Sequence, residues 1–404
     1  MEPSRRQFLA AAPFALPLAA KAASASIFVR ASGKEIVTPD GKPLLLRGTN
    51  LGNWFEPEGY MFLFEQGPVS PREIEDFFAE LIGPAAADDF WRSYRETYIT
   101  QADIKFLQRC GFNSVRVPLH YKFFLSDDGF ALLDRMIGWC REAGLWVILD
   151  MHCAPGGQTG TNIDDSYGYP WLYESPKDQQ LLIDIWKRIS RHYAHEPIVL
   201  GYDLLNEPIP HFPRLHLYNA DLEPLYKRIT SAIRSEDPNH MIILGGAQWD
   251  SNFDVFGAPF DDNLIYQFHK YWTPPTAAVI ESYLKFRDRY DVPIWCGESG
   301  ENTDEWIGKF VRVLESQRIG WCFWPYKKME KPSSPVSIVK PAHWDEIVAF
   351  AKLPAGTGNA EKRIAARPSL ENSRAAFDEL LKNIQFANCR VNPGYLRALG
   401  LKAT

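Results

Sequence analysis

Short runs rich in β-branched and aromatic residues alternate with helical periodicity along almost the whole chain. The runs fall at 44–48, 114–119, 146–152, 199–207, 241–246, 264–269, 293–298 and 320–324. Apolar residues at helical spacing fill most of the gaps, at 99–110, 131–143, 179–195, 222–235, 277–290 and 304–317. A strand followed by a helix and then another strand implies a parallel sheet with right-handed crossovers, and eight such strands predict a closed α/β barrel, the (β/α)8 TIM fold. A doubly wound open sheet is the alternative. It would bind a nucleotide through a glycine-rich first turn, and the segment after the first run, Gly48-Thr49-Asn50-Leu51-Gly52-Asn53-Trp54, has no phosphate-cradling spacing.

The 404 residues exceed a usual domain, but barrels of this class reach such lengths as one unit. A content of 46% apolar and 23% charged residues excludes a disordered or collagen-like chain. Residues 27–47 read as a hairpin turned by Asp40-Gly41 that plugs one end of the barrel. The surplus length lies after strands, at 54–98, 153–178, 247–263 and 325–342, so long loops open on the C-terminal face, where such barrels build their sites. Residues 354–368 read as a polar linker before a last helix at 370–384.

Residues 1–25 read as an address. Ser4-Arg5-Arg6-Gln7-Phe8-Leu9, an apolar run of 8–20 and Ala23-Ser24-Ala25 resemble a twin-arginine export signal cleaved after Ala25, which sends residues 26–404 to the periplasm or medium as one domain. The run is too short for a membrane anchor and contains Pro13 and Pro17, so no stable span is expected after signal removal. A net charge of −6 lacks the overall attraction to phosphate that nucleic-acid binding uses. The six cysteines show no Cys-x-x-Cys spacing, so free core thiols are expected and neither a metal nor a cofactor is. Cys296 and Cys322 share the parity of Glu298 and Trp324 and are expected to face the barrel interior as small fillers. The chain is expected to act as a monomer.

Polar chemistry gathers at the ends of the runs: Arg116 in the second, His152 in the third, Asn206 and Glu207 in the fourth, His269 and Tyr271 in and just past the sixth, Glu298 in the seventh, Trp324 in the eighth. Two glutamates from different strands on one barrel mouth are the parts needed to cleave a glycosidic bond. Their separation decides between retention and inversion. His269 and Tyr271, two apart, lie on one face, so the phenol can reach Glu298. Adjacent Asn206 and Glu207 cannot both face inward from a regular strand, which predicts a bulge or an abrupt strand end. Trp324-Pro325 is a candidate cis peptide. Aromatics reach 14%, and those on the loops, Trp54, Tyr167, Tyr169, Trp171, Trp249 and Trp272, are candidate platforms for the C–H faces of sugar rings.

The stretches 199–208 (VLGYDLLNEP) and 292–300 (VPIWCGESG), with 111–121 (GFNSVRVPLHY), 147–152 (VILDMH), 267–272 (QFHKYW) and 320–324 (GWCFW), resemble glycoside hydrolase family 5, the cellulase family A group of retaining barrel enzymes. The resemblance implies Glu207 as general acid/base and Glu298 as nucleophile. It implies Arg116 as the compensating charge, Asn206 on the sugar 2-hydroxyl and Trp324 beneath the ring at the cleavage subsite. Residues 47–58 (RGTNLGNWFEPE), followed by a long insertion, look closer to the exo-β-1,3-glucanase and β-glucosidase branch. Endo-acting cellulase or β-mannanase action, and a polysaccharide-binding barrel without catalysis, stay open. The partner in every case is a polysaccharide or oligosaccharide.

Overall fold

A computed structural model describes residues 27–161 and 163–403. The export signal expected at 1–25 lies outside the described residues. Two short strands, β1 (Arg30–Ser32) and β2 (Glu35–Val37), form an antiparallel hairpin. The barrel follows: β3 (Arg47–Asn50), β4 (Ser114–His120), β5 (Trp146–Cys153), β6 (Val199–Asp203), β7 (Met241–Gly245), β8 (Leu264–Lys270), β9 (Ile294–Gly300) and β10 (Gly320–Trp324). Each pairs in parallel with its sequence neighbours, and β10 closes on β3. This is the expected (β/α)8 barrel. A small sheet of β11 (Lys327–Met329), β12 (Val336–Ile338) and β13 (Arg390–Val391) ties the last barrel loop to the C-terminal segment.

The hairpin turns at Gly33, not at Asp40-Gly41, because Gly33 takes the φ of +56° that the connection needs. Asp40-Gly41 instead closes a smaller turn through the Val37–Pro43 bridge. Ile36 still packs with Leu46, Ile148, Ile243, Ile265 and Trp295 at the barrel floor, as a plug would. The insertion at 54–98 is helical, and the linker expected at 354–368 contains the helix Ala360–Ala366. Pro71–Ile82 is started by a Ser70 and Glu73 capping box, and Phe77, Phe78, Phe90 and Trp91 seal it and Pro84–Tyr98 against the barrel's outer layer.

The interior of the barrel changes character from floor to mouth. On β5 the inward positions run Ile148, Asp150, His152, and on β8 they run Ile265, Gln267, His269. An apolar floor thus gives way after one step to buried polar groups. Strand β9 keeps this only through a bulge: Phe268 pairs with Cys296, whereas His269 pairs with Glu298, so Gly297 is the extra residue. The parity expectation for Cys296 therefore fails. Trp295 points into the floor, Cys296 joins the outer core and Cys322 alone of the two faces inward. A side chain at Gly297 would stand 1.9 Å from Gln267 Oε1, so only glycine fits there. Among the described residues no disulfide joins the six cysteines, five of which are buried and Cys389 half-buried.

Candidate active site

Arg116, at the centre of the barrel, is completely buried. Its guanidinium lies 2.6 Å from Glu298 Oε1, 2.8 Å from Asp203 Oδ2 and 3.0 Å from Asp150 Oδ1, and it donates to Asn50 and Asn206. A buried cation needs this many acceptors, because a guanidinium taken out of water without them costs several kcal/mol. Even so, burial pushes the carboxyls of Asp150 and Asp203 up to about 7, against the pull of Arg116.

Above this layer stand the two glutamates. Strand β6 ends at Asp203, earlier than the run 199–207 implied, and Glu207 adopts φ +45° in the following loop. The abrupt end lets both neighbours reach the mouth: Asn206 bonds Arg116, and Glu207 Oε1 lies 3.0 Å from His269 Nδ1. Glu298 Oε2 accepts the Tyr271 hydroxyl at 2.9 Å, as the two-residue spacing predicted. Oxygens of Glu207 and Glu298 and a ring nitrogen of His269 all lie within 4.8 Å of one another. Burial raises the carboxyl of Glu207, whereas it lowers His152 to about 4 and His269 to about 3. Both imidazoles are therefore neutral near pH 7, and His152 Nδ1 faces Asp150 at 2.8 Å.

A cavity of about 710 Å³ opens over these groups. His152 and Trp324 stack along one wall at 5.3 Å, and the Trp324-Pro325 peptide is cis. The Trp324 indole donates to the Tyr60 hydroxyl at 2.6 Å, and Tyr60 faces Glu301, which is held by buried Lys328. Glu58, Tyr60 and Glu301 also line the cavity. None of these three, nor Asp150, Asp203 and Asp250, follows from the strand-end pattern. The motifs 47–58, 147–152 and 199–208 contained Glu58, Asp150 and Asp203 and were the available signals.

The loop aromatics divide. Trp249 and Trp272 line the cavity, with Trp272 75% exposed. Trp54 does not: it is buried, its indole donates to the Arg95 carbonyl and it packs on Phe55, because the helical insertion needed a core of its own. Trp171 packs on Tyr169 outside the cavity, and Tyr167 lies under the Arg72 guanidinium. They hold the loop after β5 in place.

Two clusters could be read as ion cages, Glu207 with His269 and Glu298, and Glu56 with Glu58 and His152. In the first, the donor atoms already face one another, Tyr271 and Arg116, which suits proton handling. In the second, burial raises both carboxyls well above the usual range, which disfavours the charged forms that a cation would need.

The model of the Cellulase family (glycosyl hydrolase family 5) matches residues 79–330, more than half of the chain. A β-xylosidase of Phanerodontia chrysosporium is 29% identical in an alignment 345 positions long that covers 74% of this chain and 71% of that protein. A glucan 1,3-β-glucosidase of Candida oleophila is 29% identical over 272 residues, 59% of this chain and 62% of that one. Among solved structures, an endogalactoceramidase superposes with a TM-score of 0.57 at 19% identity over 81% of this chain and 79% of the other, a likeness of fold.

Proposed function

We propose, because the chain belongs to the cellulase family, glycosyl hydrolase family 5, that it cleaves β-glucosidic bonds through a covalent glycosyl-enzyme, with Glu298 as nucleophile and Glu207 as acid/base. The observation that carries this reading is the approach of the two carboxylates within 4.8 Å across His269 at the base of the cavity. Retaining glycosidases hold their carboxyls about 5 Å apart, and inverting ones need about 6.5 to 9.5 Å for a water.

In the first step Glu207 gives its proton to the glycosidic oxygen while Glu298 attacks the anomeric carbon from the opposite face. Burial favours the protonated form of Glu207 that this step needs. Arg116 at 2.6 Å and Tyr271 at 2.9 Å hold the attacking carboxylate in one orientation. Once Glu298 is an ester its charge is gone, the pull on the Glu207 proton weakens, and the same carboxylate then takes a proton from water, which releases the sugar with its configuration kept. Asn206 then takes the 2-hydroxyl and Trp324 lies under the ring, roles supported by the lining of the cavity by both residues and by the Arg116 bond to Asn206.

The wall of Glu58 and Tyr60, brought by the insertion after β3, supports exo-action on the ends of β-glucans or on β-glucosides. Relatives named β-xylosidase and glucan 1,3-β-glucosidase support the same reading, beside others named endoglucanase. Turnover of an aryl β-glucoside, lost in Glu298→Ala and Glu207→Ala, tests it, beside β-1,3-, β-1,4- and β-1,6-glucans and mannan. Release of glucose as the β-anomer from chain ends is expected. Internal cuts would favour an endo-cellulase or mannanase, and binding without any turnover would favour a binding barrel.

Export belongs to the same proposal. Among the described residues no helix is long and apolar enough to cross a membrane. Replacing Arg5 and Arg6 with lysine should hold the protein in the cytosol, and the exported form should begin at Ser26.

A further inference from the structure

Asp250 lies in the loop after β7, carries no exposed surface and belongs to none of the expected site positions. It sits in an unusual stretch: Gln248, Trp249 and Asp250 have φ of +53°, +54° and +59°. Each left-handed L-residue costs about 1 kcal/mol or more, so three in succession persist only where the surroundings enforce them. Here the Trp249 amide donates to the Ile209 carbonyl at 3.1 Å, and the Asp250 amide to Gly246 at 3.0 Å. Gly245 ends β7 without a side chain, and a Cβ there would stand 1.8 Å from Asp250 Oδ1. The backbone thus aims one carboxyl into the barrel beneath the acid/base.

Resting on the reading of Glu207 as acid/base, we infer that Asp250 is its positioning residue: one oxygen holds the Glu207 main chain and keeps the ring proton of His269 on Nε2, so that Nδ1 accepts the acid proton of Glu207. Oδ2 accepts the Glu207 amide at 3.0 Å and stands 3.2 Å from His269 Nε2, while Nδ1 of that ring is 3.0 Å from Glu207 Oε1.

The neutral ring has one proton to place. On Nε2 it points to the side of the ring where Asp250 Oδ2 stands at 3.2 Å, out of line for a hydrogen bond but close enough for the carboxyl oxygen to attract the N–H, and the Nδ1 lone pair then receives the Glu207 O–H. On Nδ1 it would donate to a charged Glu207 and set a lone pair against Asp250. The first arrangement stabilises protonated Glu207, the form that starts the reaction. Asp250 does this whether or not it is itself ionised. Its carboxyl is raised by burial and by Asp203 and Glu207, and a proton on Oδ1, which has no other partner, leaves Oδ2 free to accept the Glu207 amide and to face the His269 Nε2 edge.

Asp250→Ala and Asp250→Asn, in the full chain, are compared with wild type on aryl β-glucosides of graded leaving-group pKa, with kcat/KM followed against pH. Arg116, Asp150, His152, His211, Asp164, Glu58, Tyr271 and Glu298 also face Glu207 and are the same in every variant. Asp250→Ala frees the His269 proton to move to Nδ1, which lowers the Glu207 pKa, so the alkaline limb should move about one unit toward lower pH. Loss of acid catalysis should be about 100-fold on a poor leaving group and under about fivefold on the dinitrophenyl glucoside, which needs no acid. Asparagine keeps the accepting oxygen and should restore the limb and most of the rate. Should Asp250→Ala not fold, Gly245→Ala, whose methyl must displace Asp250, is read by the same two measures. An equal loss on all leaving groups with an unmoved limb overturns the inference, as does Asp250→Asn behaving like Asp250→Ala. Wild type inactive on every glucoside would sink the underlying assignment too, whereas an active wild type with an inactive Glu298→Ala leaves only the role of Asp250 at stake.

Discussion

Replacing Arg116 with methionine should cost the fold about 3–5 kcal/mol and the reaction at least about 100-fold in kcat. Three carboxylates lie 2.6, 2.8 and 3.0 Å from its nitrogens. With charge centres near 4 Å, each attraction is about 4 kcal/mol at an effective dielectric of 20, or about 12 kcal/mol gross. Most of that is not lost on substitution. Asp150 and Asp203 already titrate at about 7, so without the guanidinium they take up protons near neutral pH and cease to repel. What is left is the charge-assisted bond to Glu298 and the stranded amides of Asn50 and Asn206, which match the cost of breaking one buried pair. With an m value of about 4 kcal/mol/M for a chain this long, the urea midpoint should fall by about 1 M. Arg116→Lys restores the charge without the fork, so stability should recover in part while kcat stays low. A methionine variant whose midpoint lies within about 0.3 M of wild type, with unchanged kcat, would refute the reasoning.

Gly297→Ala should push Gln267 off its bond to Asp203 and crowd His269, costing about 1–3 kcal/mol and most of the turnover; wild-type kinetics would show that the bulge is dispensable. Trp272→Ala should raise KM several-fold without moving the unfolding midpoint, whereas buried Trp54→Ala should lose about 3–5 kcal/mol with KM unchanged in the surviving folded fraction. Exchange of these two outcomes would reverse the assignment of platform and core. Stability should fall from about pH 6.5 to 8. Asp150 and Asp203 bind protons up to about 7 when folded but only to about 4 when unfolded, so the stability they confer below pH 4 is lost as pH rises through 7. Below pH 6.5 His152 and His269, at about 4 and 3, act in the opposite sense and offset that slope. Urea midpoints that rise between pH 6.5 and 8 would contradict it.

The barrel and its main site residues were legible because both depend on period and order. A parallel strand buried on both faces reads as an apolar run, so eight runs showed as eight strands, and residues closing the runs had to meet at one mouth. The helices at Pro71–Ile82 and Pro84–Tyr98 were hidden by the strand-to-strand logic, which treats whatever lies between as loop. Trp54 was misread for the same reason: beside a motif, an aromatic looks like a platform until the insertion proves to need a core.

Parity was the weaker guide. One extra residue at Gly297 turned Cys296 outward while Glu298 stayed inward, and alternation counted along the chain has no means of registering a bulge that exists only in the pairing with β8. Asp250 lay beyond reach altogether, since its contacts with Glu207 and His269 join loops and strands far apart in the chain and depend on three left-handed residues and a missing side chain at Gly245. The amino-acid order by itself determined the barrel and the pair of glutamates, because these follow from local periodicity repeated eight times. Only the tertiary structure decided that Asp250 and Glu207 flank the two nitrogens of His269, which aromatics see the cavity and how three buried carboxylates share one guanidinium, because those are matters of ångströms between segments that local sequence does not couple.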